Sequence, residues 1–164
     1  MFFGRRGEKN MNSVPITQEG LDTLKKELEK LLKEERPRVI KAIEEARAHG
    51  DLSENAEYAA AKERQGFIEG RIMELQSQVA SCQVEEIRGP YDRCVFGATV
   101  TMENSDTGEE RTYTLVGPFE SAPEKNRISI ATPIGQALLG REEGDEVRVK
   151  TPKGEQEYVI VAIK

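Results

Sequence analysis

Tryptophan is absent from this 164-residue sequence, histidine occurs once, as His49, and only two cysteines are found, Cys82 and Cys94. No spacing of Cys and His suited to zinc can be drawn from so few ligands. Two isolated thiols read as reduced structural side chains, not as a disulfide framework. No apolar run approaches the roughly 20 residues needed to span a bilayer, and Met1 to Asn10 lacks the apolar centre of a secretion signal. The expectation is a cytosolic protein with no membrane contact. Aromatic residues make up 5% of the chain and charged residues 33%, a balance that favours solvated helix over a compact barrel. The formal charge of -6 argues against a broad basic surface that holds nucleic acid by counterion release, so any such contact must be local.

What is present is a helical pattern followed by a strand pattern. Leu21, Leu24, Leu28 and Leu31 recur at steps of three, four and three, the apolar seam of a coiled coil. Thr17 stands where an N-cap would satisfy an orphan amide of the first turn. The seam resumes at Val39, Ile43 and Ala46, and Pro37 predicts a kink or brief break near Glu35 to Pro37. Gly50 and Asp51 punctuate the pattern as a helix end and a new cap. A second seam follows through Ala56, Ala60, Phe67 or Ile68, Ile72, Leu75, Val79 and Cys82. Two antiparallel helices joined by a very short turn account for this most simply; at about 1.5 Å per residue each arm would reach roughly 45 Å.

Gly89, Pro90 and Tyr91 end the helical pattern. Strands are expected at 95–101, 111–116, 127–131, 146–150 and 156–163, with turns at Asn104 to Gly108 and Thr151 to Gly154. A short helix is expected from Pro133 to Leu139, with Gly140 after its end. The fold class is therefore α+β: a coiled-coil hairpin over residues 11–88 and a small antiparallel-sheet domain over residues 89–164. Residues 1–10, ahead of Met11, read as a disordered tail or an alternative initiation.

Chemistry concentrates where the hairpin reverses. From Ala48 to Ala61 there are three carboxylates and neither lysine nor arginine. Asp51 and Glu54, three apart across a helix start, can converge on one small volume. Two hard oxygen donors suit Mg²⁺, which takes one or two protein carboxylates and leaves its other positions to water and phosphate. The same spacing is also a capping box, in which both side chains serve backbone amides. Spacing alone leaves both accounts open.

The run from Ala46 to Ile72, ARAHGDLSENAEYAAAKERQGFIEGRI, resembles the tip and returning helix of the Gre transcript-cleavage factors of the GreA type. So do MNSVPITQEGLDTLKKELEKL, RPRVIKAIEEA, FGATVT and TPIGQALLGREEGDEV. The resemblance covers roughly residues 11 to 163. It implies a coiled coil that enters the secondary channel of RNA polymerase and a C-terminal domain, similar in fold to FKBP-type immunophilins, that docks on the channel rim. Asp51 and Glu54 would then lend oxygens to a Mg²⁺ shared with the polymerase and promote hydrolysis of the backtracked RNA near its 3′ end. The chain would be a cofactor protein, not an enzyme, and monomeric when free. Leu52, Ser53, Asn55 and Tyr58 would shape the tip or touch polymerase and RNA, although capping and packing explain them equally. Many family members carry Lys or Arg where this chain has Ser53, a departure with a small expected effect on cleavage. Arg47 and Lys62 match a modest RNA-facing basic patch, which favours the GreA type and release of short fragments; a solvated helix face is the competing account. Pro133, Ile134 and Gly135, within Thr132 to Glu146, would supply the docking surface. A prolyl isomerase, an inhibitory homologue without cleavage and a coiled-coil chaperone are the rival readings.

Overall fold

The computed structural model describes residues 13–50 and 55–164. The chain divides into two compact units: a helical unit, Leu21–Ser81, and a sheet unit formed by Cys82–Lys164 with the N-terminal segment up to Gly20. The fold is α+β.

The helical unit is an antiparallel hairpin. Its first arm starts with α1 (Gln18–Lys30), continues through a π-helical segment at Leu31–Glu35 and ends with α2 (Arg36–Ala48); the second arm is α3 (Ala56–Ser81). Thr17 caps α1 as expected, its hydroxyl accepting the Gly20 N–H at 3.0 Å. The interruption expected at Pro37 is not a break. The Arg36 N–H bonds to the Leu31 carbonyl, five residues back. This wider turn directly precedes a proline that lacks a donor and would crowd the carbonyl four residues behind it.

The seam on the first arm matches the pattern: Val39, Ile43 and Ala46 are buried. On α3 the buried residues are Ala61, Ile68, Ile72 and Leu75. Ala56 and Ala60 are exposed and Phe67 is 73% exposed, so the expected seam is corrected at those positions. Ile68 is four residues from Ile72 and seven from Leu75, the spacing that keeps side chains on one helix face, whereas Phe67 lies about 100° further round. Tyr58, half-buried, packs against the same cluster.

Two bidentate ion pairs fasten the arms together. Arg36 reaches Glu69 through Nε at 2.7 Å and Nη2 at 2.8 Å, and Arg71 reaches Glu27 at 2.8 and 3.0 Å. The hydrogen bonds from Arg36 hold the Glu69 carboxyl below the usual carboxylate range. The support it gives is therefore present at neutral pH and is lost as pH falls through that lowered value. With 36% and 41% of the two side chains exposed, water and salt screen the pair, and its contribution to stability is small.

The sheet unit contains a five-stranded sheet of order β5-β4-β3-β7-β6, formed by β3 (Thr99–Asn104), β4 (Glu110–Val116), β5 (Arg127–Ser129), β6 (Glu146–Thr151) and β7 (Gly154–Ile163). Neighbours are antiparallel except β4 and β5, which pair parallel. The strand expected from Val95 begins only at Thr99, because the Ala98 N–H folds back on the Val95 carbonyl at 3.0 Å in a turn. A second, two-stranded sheet was not expected: β1 (Val14–Ile16) pairs parallel with β2 (Cys82–Val84). Cys82, read as the end of a helical seam, is therefore a strand residue. The core joins Val100, Met102, Leu115, Val147 and Ile160 of the sheet to Leu138 of α4 (Pro133–Leu138).

Turn chemistry follows the sequence. Asn104 Oδ1 accepts the N–H groups of Asp106 and Thr107 at 2.9 and 3.1 Å. Thr132 caps α4 by accepting the Gly135 N–H at 3.2 Å. Cys94 is fully buried; burial, and secondarily the charge of Asp145, pushes its thiol up to about 11. Cys82 is only partly covered. At pH 8 a thiol reagent should therefore label one cysteine, Cys82, well before the other, because the thiolate is the reacting species. Mass mapping of the labelled peptides checks this, and equal labelling would contradict it.

Candidate functional site: the turn of the hairpin

The first arm closes with His49 N–H on the Ala46 carbonyl at 3.2 Å and Gly50 N–H on the Arg47 carbonyl at 3.3 Å. The second arm opens with Asn55, which has two roles. Its Oδ1 accepts the Tyr58 N–H at 3.1 Å, the bond of an N-cap. Its Nδ2 donates to the Ala46 carbonyl at 2.6 Å, tying the start of α3 to the end of α2. Replacing Asn55 by alanine removes both bonds and should cost the hairpin about 1 kcal/mol or somewhat more. Urea unfolding followed by far-UV circular dichroism measures it, and an unchanged midpoint would contradict the capping role.

Asp51, Leu52, Ser53 and Glu54 lie outside the described residues. Among the described residues, α3 begins at Ala56 and Asn55 supplies its cap. Among the described residues no group of three or more His, Cys, Asp or Glu is arranged to hold a metal ion.

The remaining tip residues fall into two pairings. The Arg47 guanidinium lies over the Tyr58 ring, 5.8 Å from its centroid, a cation–π contact worth about 0.5–1 kcal/mol at an exposed site. Two of the candidates are thus brought together, with Arg47 held in one direction by the ring. Lys62 is exposed and donates to Gln65 Oε1 at 3.2 Å, one turn along the same helix. His49, not singled out in the sequence, sits 3.8 Å from the Glu57 carboxylate, both side chains mostly exposed.

In the sheet unit, Pro133 and Ile134 line a small cavity of about 280 Å³, together with Ile128, Val149 and Pro152. Pro133 is exposed and Ile134 half-buried. Gly135 is different: it is buried, and a Cβ there would lie 2.2 Å from the Ser129 carbonyl oxygen. It is a close-packing position beneath the surface. No aromatic side chain lines the cavity among the described residues, so it lacks the ring platform that the prolyl isomerase reading would require.

The sequence reading missed Glu120. Its carboxylate is buried and holds Thr17, Gly117 and Arg127. A charged residue just beyond Gly117 and Pro118 reads as a solvated turn, and nothing in the local pattern points to a partner about a hundred residues away.

An acidic turn on a coiled-coil hairpin, joined to a small sheet unit, defines a class. The chain belongs to the GreA/GreB family of transcription elongation factors: the N-terminal family model matches residues 14–84 and the GreA/GreB C-terminal model residues 89–164. Among curated relatives, transcription elongation factor GreA of Syntrophobacter fumaroxidans is 51% identical over 158 residues, covering 94% of this chain and 99% of the relative. GreA of Thioalkalivibrio sulfidiphilus is 50% identical over 156 residues, with the same coverage of each chain. The crystal structure of GreA factor homolog 1 from Thermus thermophilus is 30% identical, covers 93% of this chain and 99% of that one, and superposes with a TM-score of 0.43.

Proposed function

We propose that this transcription elongation factor binds RNA polymerase through its secondary channel. There it stimulates the polymerase's own endonucleolytic cleavage of backtracked RNA and so rescues arrested complexes. The observation that carries the reading is the acidic run at the turn of the hairpin, next to a helix start already capped by Asn55.

The chemistry of the donor set fits a magnesium ion shared with the polymerase. Asp51 and Glu54 offer hard oxygens, too few to hold the ion alone and enough to complete a coordination shell begun by the polymerase's own carboxylates. A magnesium ion held there by Asp51 and Glu54 would supply positive charge to the phosphodiester and would lower the pKa of a bound water. The side chains of this chain do the rest. Asp51 and Glu54 would lend carboxylate oxygens to the ion, Arg47 on the Tyr58 ring meets the 3′ segment of the RNA, and the surface around Pro133 and Ile134 docks on the channel rim. The protein acts as a cofactor of the polymerase, free in the cytosol as a monomer.

The test is a stalled elongation complex given the protein and Mg²⁺. Shortened transcripts should appear with the protein and be nearly absent without it. Purified RNA mixed with the protein alone should stay intact. Unshortened transcripts in the complex would overturn the reading.

A further inference from the structure

Gly66 and Gly70 stand in the interior of α3, and packing does not ask for glycine at either place. Both are exposed, and a Cβ built on either meets no atom within 4 Å. Alanine would fit there and would favour the helix, because glycine loses the most backbone freedom when it is fixed.

The first arm is loosened at the same level. Its α-helical ladder gives way to the π-helical segment at Leu31–Glu35, which has no buried residue and no side-chain cap. Pro37, just beyond, has no N–H to return to the preceding turn. From Leu24 to Val39 no intervening side chain of this arm is more than half-buried. Ion pairs show that the two stretches face each other. Arg64 Nη2 donates to Glu35 at 3.1 Å, and Arg36 holds Glu69 with two bonds. Gly66 lies between these two partners on α3, and Gly70 directly follows the second. All of them belong to the helical unit.

Glycines, prolines and π-turns are where helices bend. A hairpin resists bending, because a bend in one arm must stretch or compress the other. Its hinge therefore needs both arms weak at one level. We propose that the hairpin bends here: Leu31–Glu35 and the stretch from Gly66 to Gly70 form a hinge, splinted by the Arg36–Glu69 and Arg64–Glu35 pairs. The half of the helical unit that carries the turn thereby changes direction against the half that begins at Leu21. The use of this motion rests on the cleavage reading above: the bend lets the acidic turn settle on the metal once the rod has entered the channel.

The test stiffens the hinge and leaves the fold intact. Gly66→Ala with Gly70→Ala adds two methyl groups in open space and should raise the urea midpoint of the hairpin. Spin labels on Lys25→Cys of α1 and Glu44→Cys of α2, both exposed, in a Cys82→Ser, Cys94→Ala background, report distances along the first arm across the π-helical segment. That arm carries neither glycine, so a change there reports coupling between the arms and not local helix propensity. The hinge predicts a broad distance distribution in the parent and a narrower one with the two alanines, with Arg36→Gln broadening it further. Amide exchange of residues 31–36 should slow about tenfold in the alanine variant. In the elongation complex its saturating cleavage rate should fall about fivefold although its stability rises, a combination that a merely structural role for the glycines would not give. A narrow distribution in the parent, or one that the alanines leave unchanged, would overturn the hinge. Cleavage by the stiffened variant at the parental rate would overturn its use. If the parent protein itself fails to stimulate cleavage, the functional reading falls, and the distances and exchange rates still decide whether the hairpin bends.

Discussion

With Asp51 and Glu54 both replaced by alanine, RNA cleavage in a stalled complex should fall by a hundredfold or more while polymerase binding stays within about twofold. The size of the loss follows from what the carboxylates supply. Charge stabilisation by a well-held metal ion is worth several kcal/mol of barrier, and each 1.36 kcal/mol is a factor of ten in rate. Under the proposed function, binding survives because docking is assigned to the surface around Pro133 and Ile134, and the α3 cap survives because Asn55 supplies it. Single substitutions should each account for most of the loss, since one oxygen donor is a poor substitute for two. Cleavage at the parental rate by the double variant would remove these residues from the mechanism.

Ile72→Ala should destabilise the hairpin by about 2–5 kcal/mol. Ile72 is 1% exposed and sits in a cluster with Val39, Ile43, Ala61 and Ile68. Two helices in contact have a single seam, and a void opened in it has no second layer to collapse upon, which places the cost well inside the range for buried aliphatic truncations. Phe67→Ala is the matched control. At 73% exposure the larger side chain should cost only about 0.5 kcal/mol. Urea unfolding of the two variants, followed by far-UV circular dichroism, measures both. If Phe67→Ala proved the more damaging, the seam assigned to α3 would be wrong.

Much of this architecture is readable from residue spacing. Val39, Ile43 and Ala46 mark the inner face of α2, Thr17 announces a helix start, and Pro133 and Gly140 bracket α4. These succeed because the signals are local: a cap, a period or a turn is decided within a few residues. The failures are of two kinds. On α3, alanines at 56, 60 and 61 are compatible with either neighbouring face, and the phase is set by Tyr58 and Ile68, so the expected seam runs through Ala60 where Ala61 is the buried residue, and of Phe67 or Ile68 it is Ile68 that faces inward. Contacts distant in the chain left no local trace. The pairing of Val14–Ile16 with Cys82–Val84 spans nearly seventy residues, and Glu120 meets Thr17 across 103. At the candidate site, Asp51 and Glu54 stood out by charge and by family resemblance, whereas the Asn55 cap and its tie to Ala46 became visible only once the helix ends were placed.

The central claim is that two side chains at the turn of a helical hairpin complete the coordination of a borrowed magnesium. Its most direct measurement is the Mg²⁺ concentration that gives half-maximal transcript cleavage, compared for no added protein, the parent protein, and Asp51→Asn or Glu54→Gln. The account predicts that the parent lowers this concentration and that either amide variant returns it most of the way, with excess Mg²⁺ recovering part of the lost rate. One common half-point for all of them would contradict it.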